Sequence, residues 1–116
     1  MKEHEPTCEH EALDLMPLAG RLLVRAGEHH SRRAASTVLS GTSMRATVIA
    51  LLAGAELAEH EAPPAATLQV LTGEVDLAAG DDRRPVAAGE LIAIPRRRHS
   101  LLARTDAVVL LTVALH

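Results

Sequence analysis

The segment from Gly54 to Gly73, GAELAEHEAPPAATLQVLTG, carries the most informative pattern in the chain. It places one histidine, His60, between two glutamates, ahead of a double proline and an apolar run that ends at Thr72. A histidine in front of a turn and a strand is a candidate contact for a metal or a ligand, because imidazole coordinates metals and titrates near neutral pH. The segment leaves two alternatives open: half of a metal site, or a polar residue lining an apolar pocket.

Length and composition restrict the class of protein. A chain of 116 residues that is 47% hydrophobic predicts a single domain with a real core. The chain has no Phe, Trp or Tyr, so it lacks the aromatic platforms on which single-stranded nucleic acid stacks. Its net charge of -3 is also unlike the basic surface of a nucleic-acid-binding protein. We therefore expect no nucleic-acid partner.

Cysteine content and hydropathy predict the compartment. The lone Cys8 cannot form an internal disulfide, and the sequence does not begin with a pattern typical of a signal peptide. No stretch approaches the roughly 20 apolar residues that a membrane helix needs. These features predict a cytoplasmic protein without a membrane association.

The chain divides into three segments. Residues 1–11 form an acidic tail without periodicity, residues 12–36 a helix and its connection, and residues 37–116 the main domain. A tail of this kind is typically solvated and flexible. Leucines at helical spacing in the second segment predict a short helix from near Pro17 to Gly27.

Short apolar runs separated by Gly, Pro or Asp follow from about residue 37. The runs are STVLS (36–40), RATVIALLA (45–53), TLQVLT (67–72), EVDLAA (74–79), RPVAA (84–88), ELIAIP (90–95), HSLLAR (99–104) and AVVLLTVAL (107–115). Runs at spacings of about 8 to 12 residues predict an all-β sandwich or barrel. Hairpin turns are expected around Thr72-Gly73 and around Gly80-Asp81-Asp82.

Two of these runs, within residues 46–53 and 107–115, do not alternate between apolar and polar residues. A strand that is apolar on both faces must be covered on both sides. In so small a chain, the second cover is either the N-terminal helix or a second subunit. A dimer formed through these strands is the economical explanation, so we expect a homodimer.

The spacing of the segment resembles a known motif. Gly54, His60, Ala62, Ala66 and Gly73 are separated by five, one, three and six residues. This resembles the first motif of the cupins, in which the Ala62 position is usually His and the Ala66 position usually Glu.

The second cupin motif is similar to the segment from Gly89 through Pro95 to His99, although the proline-to-histidine spacing is one residue shorter than the commonest form. The resemblance covers roughly residues 37 to 115 and is with small, single-domain bacterial cupins. It implies an all-β double-stranded β-helix, the cupin jelly-roll barrel, preceded by a short N-terminal helix.

The resemblance also implies where a metal would bind. A metal-binding cupin commonly presents three histidines and one glutamate inside the barrel, and the matching positions here are His60, Ala62, Ala66 and His99. Two of the four donors are therefore methyl groups. His60 and His99 alone predict at most a weakly held divalent ion, whether Zn, Fe, Mn, Ni or Cu. No cofactor is assigned with certainty.

Other potential metal donors lie outside this domain. His4, Cys8 and His10 in the tail do not match a known finger spacing, although one of them could complete a metal shell. His29 and His30 are adjacent, so their side chains diverge on either a helix or a strand, and a solvated loop is favoured.

The alternation of a strand predicts the pocket wall. Leu68 and Val70 share the parity of Ala66 and should face the barrel interior. Arg97 lies in a run of three arginines after Pro95, which is either a solvated rim or a gate that draws an anionic ligand to the barrel mouth. The expected ligand-binding residues are His60, His99, Leu68, Val70 and Arg97.

Three functions remain open. The first is a cupin that binds a small molecule, or loosely a divalent metal, without clear catalytic activity. The second is a metal-dependent enzyme of the dioxygenase or isomerase kind that uses His60 and His99 as ligands. The third is a dimer that docks on a partner protein. The apolar wall and the missing donors favour the first.

Overall fold

The computed structural model describes residues 11–60 and 65–115, with the side chains of Glu59 and His60 excepted. Within these residues, one helix precedes nine strands. The elements are α1 (Leu15–Gly27), β1 (Arg33–Ser40), β2 (Met44–Leu51), β3 (Glu56–His60), β4 (Ala66–Thr72), β5 (Glu74–Ala79), β6 (Asp82–Ala87), β7 (Leu91–Ala93), β8 (His99–Ala103) and β9 (Ala107–Ala114).

The strands form two antiparallel sheets. Sheet A has the order β1-β2-β9-β4-β7, and sheet B has the order β3-β8-β5-β6. The main core cluster draws residues from both sheets, including Leu51, Val70 and Val109 from sheet A and Val75 and Leu101 from sheet B. The two sheets therefore enclose one aliphatic core, and the prediction of an all-β barrel with a short N-terminal helix is confirmed.

The helix α1 begins at Leu15, two residues before the predicted start, and ends at Gly27 as predicted. Pro17 lies in its first turn, where the backbone N–H groups have no partner within the helix, so proline is tolerated there. Ala19, Leu22 and Ala26 are buried at helical spacing and face the sheet. With 13 residues, α1 is shorter than a helix needs to be to cross a membrane.

The helix supplies the second cover of the two-faced strands. Ile49 of β2 and Val109 of β9 belong to the core between the sheets. Their neighbours Val48 and Val108 belong instead to a second cluster that includes Leu22 of α1. The outer face of β2 and β9 is therefore buried under the helix, as one of the two alternatives predicted. The expected homodimer stays a prediction.

One predicted turn is wrong and the other is confirmed. No hairpin forms around Thr72-Gly73, because β4 pairs with β7 and β9 whereas β5 pairs with β6 and β8. The chain crosses from sheet A to sheet B at this point. The second turn is a hairpin, in which Ala79 pairs with Asp82 and Gly80 has φ +59°. A glycine with positive φ at the first position of a two-residue loop suits a type II′ turn.

Two strand boundaries differ from the sequence-based expectation. β1 begins at Arg33, inside the segment that was predicted as a connection. β3, with the sequence ELAEH, was not predicted as a strand. It contains no β-branched or aromatic residue, which are the types that indicate a strand. His60 therefore lies at the end of a strand and not in a loop ahead of one.

The crossing at Gly73 gives a prediction about stability. Gly73 has φ +81°, and a Cβ there would overlap the carbonyl oxygen of Asp106 and lie 2.8 Å from Cα of Ala107. Gly73→Ala should lower the free energy of unfolding by on the order of 3 kcal/mol, because it combines a left-handed backbone with a backbone clash. Urea denaturation followed by circular dichroism measures this loss.

Gly89→Ala is the matched control, since Gly89 has φ +87° and no atom within 4 Å of its would-be Cβ. Only the backbone strain applies there, so the loss should be about 1 kcal/mol. Equal losses for the two variants would contradict the role of the close approach at Gly73.

Candidate ligand pocket

His99 is a buried histidine with a defined hydrogen bond. It opens β8, its exposed fraction is 5%, and its Nδ1 lies 3.0 Å from the carbonyl oxygen of Arg97. A carbonyl oxygen can only accept, so Nδ1 carries the proton and the lone pair of the neutral ring is on Nε2. The bond therefore sets both the tautomer and the orientation of the ring.

The ring borders a small cavity between the two sheets, which we call the inner cavity. Its volume is about 20 Å³, and among the described residues that line it His99 is the one with a polar side chain. The other lining residues are Ile49, Leu57, Leu68, Leu77, Ile94, Leu101 and Leu111. This volume holds about one water molecule, and most of the described side chains around it are aliphatic.

The predicted wall residues lie on the expected face. Leu68 is 2% exposed and lines the inner cavity. Val70 is fully buried in the core cluster and is not part of the cavity lining. Ala66, at the position of the usual glutamate, is partly buried and packs against the same cluster.

His60 and His99 are brought together by strand pairing. They are Cα partners in the antiparallel pair of β3 and β8, after a register shift that follows Leu57. Directly paired residues of an antiparallel ladder are close neighbours in a sheet. The side chain of His60 and the whole of Ala62 lie outside the described residues, so the backbone register is the structural link between the two histidines.

A larger pocket opens at the edge of the barrel, and we call it the rim pocket. Its volume is about 170 Å³. Its lining residues are Leu77, Ala79, Asp82, Arg84, Ile92, Ala93, Pro95 and Arg97. Leu77 is buried and lines both the rim pocket and the inner cavity, so the two spaces share this side chain.

Charged side chains gather at the rim pocket. Nη2 of Arg97 donates to Oδ2 of Asp82 at 2.8 Å, and both side chains are more than half exposed. Arg84 comes from β6 on the same side, since it is the Cα partner of Leu77. Arg97 thus lines the rim pocket, and its role as a gate for an anionic ligand stays a prediction.

Asp76 is the other buried ionisable residue among those described. Its exposed fraction is 7%, and Nη1 of Arg104 lies 3.2 Å from its Oδ2. It alternates along β5 with the core residues Val75 and Leu77, so it faces away from the barrel interior. We interpret this ion pair as structural.

The described residues do not assemble a multi-donor metal centre. Among the side chains that the structure describes, no group of three or more His, Cys, Asp or Glu residues could hold a metal ion. His29 and His30 are exposed and stack on each other, with Nδ1 of His29 2.7 Å from Oγ of Ser31. The tail donors His4, Cys8 and His10 lie outside the described residues.

Comparison with known proteins identifies the fold. No family model matches the chain, and no curated protein matches it. An RmlC-like cupin from Desulfovibrio desulfuricans superposes with a TM-score of 0.64 at 24% identity, over 98% of this chain and 96% of that one. A cupin superfamily protein from Desulfitobacterium hafniense gives a TM-score of 0.69 at 12% identity, over 72% and 78% of the two chains. This chain has the cupin fold.

A third match also covers most of the chain. A conserved protein of unknown function from Streptococcus pyogenes superposes with a TM-score of 0.71 at 23% identity, over 92% of this chain and 89% of that one. At these identities the likeness shows the cupin jelly roll, and the function has to be argued from the site.

Of the residues that line the rim pocket only Arg97 was predicted as a site residue, and its two other charged residues, Asp82 and Arg84, were not. Arg84 was placed at the start of the apolar run RPVAA, and Asp82 in a hairpin turn. The alternation of β6 contains the signal, because Val86 is buried in the core and residues two and four positions before it share its face. To predict these two residues from the alternation, one must already know that Val86 faces inward.

Proposed function

We propose that this cupin domain binds a small molecule at the rim pocket and toward the inner cavity, and that binding is its function rather than catalysis. The observation that carries the proposal is the shared wall at Leu77, which is 3% exposed and borders both spaces. A movement of this one side chain would join the rim pocket to the cavity beside His99.

The composition of the two spaces supports a ligand site. Ligand pockets are mostly apolar, with a few polar groups that fix the orientation of the ligand. Leu77, Ile92 and Pro95 give the rim pocket an apolar wall, while Arg97 lies at its edge. His99 is the polar group at the inner end, and Leu68 stands beside it in the cavity wall.

The hydrogen bond between His99 and Arg97 supports a binding role for the ring. A carbonyl oxygen, here that of Arg97, fixes the tautomer of the ring. It does not stabilise an imidazolium as the carboxylate of a catalytic triad does. A ring held in one orientation is suited to directional hydrogen bonding at the inner cavity.

A screen of small molecules tests this function. We expect at least one compound from a library of mixed charge to shift the backbone amide signals of Leu77, Ala79 and His99 together, because the rim pocket and inner cavity share a wall. Two-dimensional ¹H–¹⁵N NMR of the full chain measures these shifts. Leu77→Ala should increase the shift at His99, while lowering the free energy of unfolding by about 2–4 kcal/mol.

Leu102→Ala is the control, because Leu102 is partly buried on β8 but lies in neither lining. Its His99 shift should match that of the wild type. The proposal fails if no compound of any charge perturbs these residues, or if Leu77→Ala and Leu102→Ala act alike.

The register of His60 with His99 favours a second candidate, a metal-dependent cupin enzyme or a loosely bound divalent ion. In many metal sites a ligating histidine donates its other ring nitrogen to a backbone carbonyl, as Nδ1 of His99 does to Arg97. His60 and His99 would hold the ion, which would polarise a bound water or substrate. Ala66 supplies no donor, so the residues fit a weak site and not a four-donor one.

Metal content separates this candidate from the first. Untagged protein reconstituted with iron, manganese, nickel, copper or zinc should retain one of these ions, measured by elemental analysis. His60→Ala and His99→Ala should each lower metal affinity about tenfold or more, since each removes a ligand. The control is His29→Ala with His30→Ala, which removes two exposed histidines and should change nothing. A wild type that retains no metal rules out the second candidate.

We further propose that the protein acts as a cytoplasmic homodimer. Its lone Cys8 supports a reducing compartment. Leu39, Met44 and Leu91 are exposed on strands of sheet A, and a groove beside Met44 is lined by uncharged residues. A second copy of the same uncharged face is the matching surface in a two-fold dimer.

Light scattering coupled to size exclusion tests the dimer. The wild type should elute with twice the mass of one chain, and Met44→Glu should shift it to the monomer because a charge would be buried in the interface. Val24→Glu, on the exposed side of α1, should remain dimeric. A monomeric wild type at micromolar concentration overturns this proposal.

A further inference from the structure

We infer that the rim pocket is built for a small aliphatic carboxylate, with Arg84 and Arg97 as the side chains that bind the carboxylate and Asp82 as their internal competitor. This inference rests on the proposed small-molecule-binding function and names its ligand class.

Arg84 is exposed, but it lies on the same face of sheet B as the buried Leu77. The register of β5 and β6 pairs Val75 with Val86, Leu77 with Arg84 and Ala79 with Asp82. The β5 members of these pairs are all buried. Paired residues share a face of the sheet, so the inward positions of β6 read Asp82, Arg84 and Val86. A charge at a core-facing position calls for either a functional or a protective reason.

Protection of the sheet edge is the alternative reason. β6 is the last strand of sheet B, and inward-pointing charges on edge strands discourage pairing with other chains. This explanation needs a charge on β6 but no partner for it. It does not account for a second arginine, Arg97, arriving at the same pocket from the segment before β8.

Arg97 is held in place by a weak and replaceable contact. Its ion pair with Asp82 is 2.8 Å long, and the exposed fractions of the two side chains are 55% and 60%. Exposed pairs of this kind contribute little stability, because water and salt screen them. A ligand carboxylate can therefore replace Asp82 as the acceptor at small cost. The guanidinium of Arg97 also lies over Gly80, in the turn between β5 and β6, and a side chain at that position would contact it.

The chemistry of the lining selects the ligand. A guanidinium offers a planar fork of donors that matches a carboxylate. Two arginines and one aspartate leave one positive charge, which suits a monocarboxylate. Leu77, Ile92 and Pro95 provide an apolar wall for its carbon chain. The volume of about 170 Å³ equals that of about six water molecules, so the ligand is short.

Titration with butyrate tests the inference, with butyramide as the uncharged probe of nearly the same shape and inorganic phosphate as a non-carboxylate anion. The readout is the set of backbone amide shifts of Leu77, Arg84, Ile92 and Arg97 in ¹H–¹⁵N NMR at constant ionic strength. Butyrate should shift these signals in a saturable way, and butyramide and phosphate should bind about fivefold more weakly or worse.

Variants of β6 and of Arg97 assign the contacts. Arg84→Gln and Arg97→Gln should each weaken butyrate binding about fivefold, and Asp82→Asn should strengthen it about threefold by removing the competitor. Arg83→Gln is the matched control, because Arg83 is the neighbouring residue of the same strand and pairs with Ala78 on the opposite face. It makes the same change in net charge and should leave affinity unchanged. Unfolding by urea confirms that each variant is folded.

Several results overturn the inference. Equal binding of butyrate and butyramide would show that the pocket does not recognise a carboxylate. Equal losses of affinity in Arg83→Gln and Arg84→Gln would show that net charge, and not a contact of Arg84, determines binding. If Arg84→Gln binds butyrate as tightly as the wild type, Arg84 does not contact the ligand, and protection of the sheet edge is its role. In each case other compounds still bind at Leu77 and His99 if the proposed function holds. If no probe or library compound perturbs these residues, the proposed function fails as well.

Discussion

The two central strands of sheet A impose the constraint on which the rest of the fold depends. β2 and β9 are apolar on both faces, so each face must be kept from water. Sheet B covers the inner face, and α1 covers the outer face through Leu22 and its neighbours. A helix of 13 residues would be marginal alone. The helix and the sheet therefore stabilise each other, and α1 is part of the domain.

Local sequence predicted the elements whose pattern is set by burial. The continuous apolar runs of β2 and β9 and the hairpin at Gly80 follow from composition and turn chemistry. The crossing at Gly73 was mistaken for a hairpin because both features use a glycine with positive φ. The difference lies in which strands pair, and that depends on residues far away in the chain. β3 was missed because ELAEH carries no local strand signal.

The candidate site was predictable only in part, and for related reasons. Strand parity placed Leu68 at the interior, and the motif spacing singled out His99, which is buried beside the inner cavity. Arg84 lies within a run of charges that reads as a solvated surface, and its pairing with Leu77 is what shows that it faces inward. Its meeting with Arg97 requires the tertiary fold, since 12 residues and a complete strand separate them.

The inner cavity and the rim pocket differ in size and in the side chains that line them. The inner cavity has a volume of about 20 Å³, and the described side chains that line it are aliphatic except for His99. The charged groups gather instead at the rim pocket, which is about 170 Å³ and lies across Leu77 from that cavity. One short segment serves both spaces, because Arg97 reaches the rim pocket while its own carbonyl oxygen orients His99. A change in the backbone at Arg97 would therefore alter the rim cation and the interior imidazole together.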